Sequence, residues 1–241
     1  MIEELSNIFS VSGLISLLTL VVMEIVLGID NVIFVSILAG KLPRNQQEKA
    51  RRTGLTLALL IRIGLLFGIT RIIGATTDLF TIAGNGFSAR DLILMAGGLF
   101  LIAKSTSEIH GKILGEEEHK NPDAKKLDMR SAIMQIILLD IVFSFDSILT
   151  AVGLVNDVWI MIIAVIISML VMLAASKVIS DFINKHPTIK MLALSFLLMI
   201  GLLLVVEAFD VDVPKGYVYF AMAFSLIVEL LNMRMRKKAS K

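Results

Sequence analysis

Long apolar runs decide what this chain can become. Between Ser12 and Leu38 the only ionisable residues are Glu24 and Asp30. An α-helix needs roughly 20 residues to cross about 30 Å of hydrocarbon, so a run of this length with so few charges belongs in a bilayer. Six more such stretches follow, at about Gly54–Gly74, Asp91–Ile109, Ser131–Leu154, Val158–Ile179, Ile189–Ala208 and Gly216–Leu231. Of the 241 residues, 56% are hydrophobic and 18% charged, whereas soluble domains have about 45–50% apolar and about 25% charged residues. The runs are too long for buried strands and lack the alternation of a membrane barrel. The expected architecture is an all-α membrane protein with seven transmembrane helices in a single transmembrane domain.

The connections supply a direction. Lysine and arginine collect in the first (Lys41, Arg44, Lys49, Arg51, Arg52), the third (Lys112, Lys120, Lys125, Lys126, Arg130), the fifth (Lys185, Lys190, with Lys177 just before it) and the tail (Arg234, Arg236, Lys237, Lys238, Lys241). With seven spans these four segments share one side, which the positive-inside rule makes cytoplasmic. Arg71 and Arg90 dilute the bias without reversing it. The N-terminus is then outside, and Trp159, Tyr217 and Tyr219 fall at outer ends, where aromatic rings anchor at the interface. The opening MIEELSNIFS lacks the basic region of a secretory signal, so the first run is expected to be retained. The absence of cysteine excludes disulfides, thiolate metal sites and thiol catalysis. Basic residues confined to short loops leave no footprint for nucleic acid. The polar stretch from Gly111 to Arg130 is expected to be a solvated linker; Glu116, Glu117, Glu118 and His119 have no spacing that argues for a metal sensor.

Two spans repeat each other. Residues 23–33 are MEIVLGIDNVI and residues 139–149 are LDIVFSFDSIL, which align Glu24 with Asp140, Asp30 with Asp146 and Asn31 with Ser147. Spans three and six echo in the same way, GGLFLIAKS at 97–105 against IGLLLVVEA at 200–208, setting Lys104 opposite Glu207. Three spans per copy turn the second copy over in the membrane. The expected plan is a 3+3 inverted repeat (about 12–110 and 131–208) plus one C-terminal helix, with a substrate site near the midplane where the repeats meet.

The acids inside these spans carry the chemistry. A carboxylate at a helix centre costs about 2.5–3.5 kcal/mol on insertion scales, so it needs a counter-charge, a cation or water. Arg62 and Lys104 are the available bases; Arg62 is expected to neutralise one acid, and Lys104 is within reach of Glu108 one turn along. Glu24, Asp30, Asp140, Asp146, Glu207 and Glu229 outnumber them. Residues six apart on a straight helix point about 120° from each other, so Glu24 and Asp30 converge only if the helix opens near Gly28, and likewise near Ser144 in span four. Carboxylates with Asn31, Ser147 and freed carbonyls form a hard oxygen set, suited to Mn²⁺, Mg²⁺ or Ca²⁺. No histidine lies well inside a span, which disfavours zinc, copper and nickel, and the methionines are expected to be apolar filling in lipid-facing runs. Protons can also ride such acids. Catalytic signatures are missing, namely a Gly-x-Ser-x-Gly elbow, HExxH and a membrane histidine. An aspartyl pair in GIDN and SFDS fits poorly with doubled acids in each span, and no enzyme activity is expected.

MEIVLGIDNVIF followed by GKLP and a basic loop, RRTGLTLALLIR, GGLFLIAKSTSEIHG, DIVFSFDSILTAVGL and VPKGYVYFAMAFSLIVELLN resemble, in this order, segments of the TerC family of bacterial integral membrane proteins. The resemblance covers nearly the whole chain. It implies seven spans, a bacterial plasma-membrane location and export of a divalent metal, chiefly Mn²⁺. It places the family's acidic residues on Glu24, Asp30 with Asn31, Asp140 and Asp146. Many relatives end the last repeat in an acidic-glycine pattern; here Ala208 follows Glu207, so Glu207 is carried over only as a supporting charge with Arg62, Lys104 and Glu108. The expected function is Mn²⁺ efflux from the cytoplasm through Glu24, Asp30, Asn31, Asp140, Asp146 and Ser147, with protons as a counter-ion. The alternative is a membrane partner of the secretion machinery that supplies metal to exported proteins.

Overall fold

In the computed structural model the described residues are 10–68, 78–82, 85–114, 128–155, 157–211 and 213–239. They form α1 (Val11–Gly40), α2 (Arg44–Phe67), β1 (Asp78–Ile82), β2 (Asn85–Ser88), α3 (Ala89–Ile113), α4 (Met129–Leu154), α5 (Val158–Lys185), α6 (Pro187–Glu207) and α7 (Lys215–Ala239). These helices coincide with the apolar runs. Five of them, α1, α3, α5, α6 and α7 as far as Arg236, are long and apolar enough to cross a membrane. Of the other two, α2 opens on the charged RNQQEKARR, and α4 holds Asp140 and Asp146 in its middle.

Local chemistry sets the helix ends. Ser10 caps α1 by accepting a bond from the Gly13 amide at 3.0 Å. Pro43 ends the turn after α1 and starts α2, and Gln47 Nε2 donates to the carbonyls of Gly40 and Leu42 at 3.3 and 2.9 Å. Ser88 and Asp91 form a capping box at α3. Pro187 opens α6, where its missing amide leaves no bond unmade.

Two features depart from the expected plan. The helix of the second span ends at Phe67, with Gly68 as its C-cap; residues 69–77, which include the rest of that run to Gly74, lie outside the described residues, as does the acidic stretch Glu116–His119. The connection before α3 contains a two-stranded sheet of β1 and β2. Phe80 stacks on Phe87 at 5.7 Å and Phe87 meets Phe209 edge-on at 5.8 Å. Strands of this length vanish into an average dominated by 20-residue runs.

The chain divides into two compact units, residues 1–79 with 125–181 and residues 80–124 with 182–241. In the first, α1 and α2 form an antiparallel hairpin and α4 packs on both. The polarity of α1 is inverted relative to a soluble helix: Leu14, Leu18, Val22, Val26 and Ile29 are exposed, while Glu24, Asn31 and Ser36 are buried. Such a helix has lipid for its solvent. The methionines only partly follow expectation, because Met161, Met169 and Met172 of α5 are core residues rather than lipid-facing ones.

In the second unit α3 packs along α6 and α7 packs on α6. Gly98 and Gly201 make the α3–α6 crossing possible. A Cβ on Gly98 would stand 2.6 Å from the Gly201 carbonyl oxygen and 3.0 Å from the Val205 amide nitrogen, and a Cβ on Gly201 would stand 3.0 Å from the Gly98 carbonyl oxygen. Backbone atoms cannot step aside as a side chain can. Membrane helices depend on small residues at such crossings, because lipid tails remove most of the hydrophobic drive for helix association. Gly98→Ala should therefore lower stability by about 1–3 kcal/mol, as for an overpacked core. Gly201→Ala should cost less, and Gly216→Ala, with no atom within 4 Å of its new methyl, should cost nothing. Thermal unfolding in detergent micelles, followed by circular dichroism, ranks the three.

Candidate functional site

The polar centre of the first unit is built on Arg62. It lies in the second half of α2, 3% exposed, between Glu24 of α1 (2%) and Asp140 of α4 (0%). Its Nη1 donates to Glu24 Oε2 at 2.8 Å. Its Nη2 and Nε donate to Asp140 Oδ1 at 2.9 and 3.1 Å, and Nε also reaches Oδ2 at 3.3 Å. One guanidinium thus joins three helices. Its planar fork suits the task, where a lysine would offer a point charge.

Neighbouring polar groups complete the cluster. Asn31 Nδ2 donates to Asp140 Oδ1 at 2.5 Å, and the Ser144 hydroxyl donates to Asp140 Oδ2 at 3.1 Å. The Ser147 hydroxyl donates to the Ser144 carbonyl at 3.4 Å. Beside Glu24 is a cavity of about 10 Å³ walled by Leu20, Leu66, Ile148 and Met161, enough for about one water molecule. Asp140 thus accepts at both oxygens. Asn31 commits its amide NH₂ to Asp140 and leaves Oδ1 buried without a hydrogen-bond partner among the described residues.

The structure revises three expectations about this cluster. Arg62 pairs with two acids rather than one, Glu24 and Asp140. The helices do not open: α1 is continuous through Gly28 and α4 through Ser144. Gly28 instead accommodates the thioether of Met172, and Ser144 turns its hydroxyl onto Asp140, one helical turn back, without breaking the backbone. The excess of acids is also smaller than the sequence indicates, because Glu207 finds Lys215 at 3.7 Å, a base at the first position of α7. The expected Lys104–Glu108 pair is present at 3.2 Å. Lys104, Glu108 and Glu207 all belong to the second unit.

Of the expected metal ligands, Glu24, Asn31, Asp140 and Ser147 are buried in the first unit. The side chains of Asp30 and Asp146 lie outside the described residues. Among the described residues no three His, Asp or Glu side chains gather as a metal site. Sequence reasoning missed Ser144 as a partner of Asp140, although their i,i+4 spacing is the signal for such a pair. It also missed Asn31 as a strut between α1 and α4, which spacing cannot reveal.

The family model for the integral membrane protein TerC family matches residues 9–241. The chain belongs to this family. Similar proteins include a UPF0053 protein of Haemophilus influenzae, 49% identical over 92% of this chain and 94% of its own length. The UPF0053 inner membrane protein YgdQ of Escherichia coli K12 is 52% identical over 91% of this chain and 92% of its own. A longer one, the inner membrane protein YoaE of the same strain, is 49% identical over 92% of this chain but 43% of its own length. No solved structure matches. Inner-membrane relatives and five span-length apolar helices together support a multi-pass location in a bacterial inner membrane.

Within this TerC chain the Arg62 cluster can be tested as a unit. Arg62→Met leaves Glu24 and Asp140 buried without a counter-charge and should destabilise the protein by about 3–5 kcal/mol. Replacing the whole cluster, with Glu24→Met and Asp140→Leu added, should recover most of that loss, since no buried charge is then left uncompensated. Unfolding curves of both variants in one detergent measure the difference.

Proposed function

We propose that this TerC protein moves a hard divalent cation across the membrane, Mn²⁺ being the expected substrate and efflux from the cytoplasm the expected direction. The observation that carries the proposal is the junction of the two similar acidic helices. α1 and α4 meet through Glu24, Arg62 and Asp140, so the two copies of one motif share a single polar centre deep in the first unit. Two carboxylates against one guanidinium leave an excess negative charge there, which attracts a cation and repels an oxyanion.

The geometry divides the labour. Asp140 already accepts from Arg62, Asn31 and Ser144, and Glu24 from Arg62, so these two hold the framework. The ligands are then Asp30, Asp146 and the amide oxygen of Asn31, with Ser147 at the equivalent place in α4. An amide Oδ1 buried without a donor among the described residues is a hard oxygen ligand of the kind Mn²⁺, Mg²⁺ and Ca²⁺ accept. The seven-span, 3+3 inverted plan belongs to this proposal, with the N-terminus outside and the C-terminus cytoplasmic. Gly98 and Gly201, which hold equivalent places in GGLFLIAKS and IGLLLVVEA, support it, because they face each other as a two-fold axis would place them. By that symmetry Asp30 and Asp146 lie toward opposite membrane faces and serve alternating access, with protons as the counter-ion.

Metal flux into proteoliposomes holding the purified chain tests the assignment. Asp30→Asn and Asp146→Asn should each cut Mn²⁺ flux at least tenfold while leaving the unfolding temperature near that of the parent. Undiminished flux in both variants removes these residues from the path. Absence of flux in the parent chain under an imposed proton gradient favours the secretion-partner alternative.

A further inference from the structure

A second polar feature of the first unit has no part in the cation path. Near the ends of α2 and α5 that carry the first and fifth basic connections lies a cleft of about 480 Å³, within the range of about 300–1,000 Å³ typical of small-molecule sites. Arg51, Arg52, Lys177 and Glu48 line it together with Thr56 and Ser176, and Leu170, Leu173 and Ala174 form its apolar part. We propose that this cleft binds an anionic phospholipid, headgroup phosphate against Arg51 and Lys177 and acyl chain along α5.

Charge excludes a cation as occupant, since three basic side chains face one carboxylate. That carboxylate is already engaged, because Glu48 Oε1 pairs with Arg52 at 2.7 Å. Arg51 is the decisive residue. It is 5% exposed, its Nη1 donates to Ser180 Oγ at 3.1 Å, and its Nε is buried with no acceptor among the described residues. A buried guanidinium N–H without an acceptor is costly, and a phosphate oxygen is the acceptor that its fork fits best.

The layout of the walls selects a lipid over a free anion. From Glu48 to Thr56 on α2, and from Lys177 to Leu170 on α5, both walls run from the helix end toward the helix middle. Charge sits at the end and apolar surface beneath it. Leu170 and Val171 are exposed on the outer surface of α5, continuous with the face a bilayer covers. A phosphodiester above hydrocarbon has the same order of polarity as this cleft. Basic clefts between membrane helices are known binding places for anionic headgroups.

Native mass spectrometry of the full chain, released from detergent micelles doped with phosphatidylglycerol or with phosphatidylcholine of the same acyl chains, tests the proposal. The parent should retain phosphatidylglycerol several-fold more than phosphatidylcholine, and Arg51→Gln with Lys177→Gln should bring the two to parity. Lys177→Gln alone alters an exposed position that the fold does not depend on, and should by itself reduce the preference. Equal retention of both lipids by the parent, or full preference kept by Lys177→Gln and by the double variant, overturns the site. Displacement of phosphatidylglycerol by inorganic phosphate overturns the lipid as its occupant. None of these readouts depends on metal flux, so they stand or fall apart from the transport proposal.

Discussion

The first unit is organised around one guanidinium. Three helices present polar groups to each other in a region where water cannot solvate them, and Arg62 supplies donors to acids from both flanking helices. A buried ion pair is a poor source of stability in itself, because desolvation offsets much of the Coulomb attraction. Its value is in register. Glu24, Arg62 and Asp140 satisfy one another in few relative positions of α1, α2 and α4, whereas apolar faces slide with little penalty between hydrocarbon tails. Asn31 and Ser144 tighten the same constraint by filling the remaining acceptor positions of Asp140.

Much of this was legible in the sequence. Among the described residues each apolar run carries a helix, and five of these helices are long enough and apolar enough to cross a membrane, because span length is dictated by bilayer thickness, a constraint that acts on each segment alone. The acids inside α1 and α4 were recognisable as a linked pair because insertion cost makes any intramembrane carboxylate informative. The details that escaped depend on neighbours. That Gly28 is a contact rather than a hinge follows from Met172, more than a hundred residues away in the chain. That Glu207 has a basic partner follows from a turn that brings Lys215 back. The β1–β2 hairpin escaped for a different reason: its few residues carry a period-two signal too short to register beside long apolar runs.

The distribution of polarity joins fold to function. Exposed apolar side chains on α1 and buried carboxylates on its other face invert the arrangement of a soluble helix, and that inversion is what gives a membrane protein a polar interior to work with. The same logic applies at the helix ends. Arg51 carries a buried charge where α2 leaves its charged first third, and it differs from Arg62: Arg62 is bonded to acids of the chain itself, while the Nε of Arg51 has no acceptor among the described residues.

The α3–α6 crossing has a mechanical meaning as well. Gly98 and Gly201 touch through main-chain atoms, and main chain offers no rotamers and little compressibility. A joint of that kind fixes the separation of two rods at one point and leaves their inclination to the side chains on either side, here Leu101, Ile102 and Val205. It acts as a fulcrum: load applied at one end of α3 is returned at the other as rotation, with the distance at the crossing held constant.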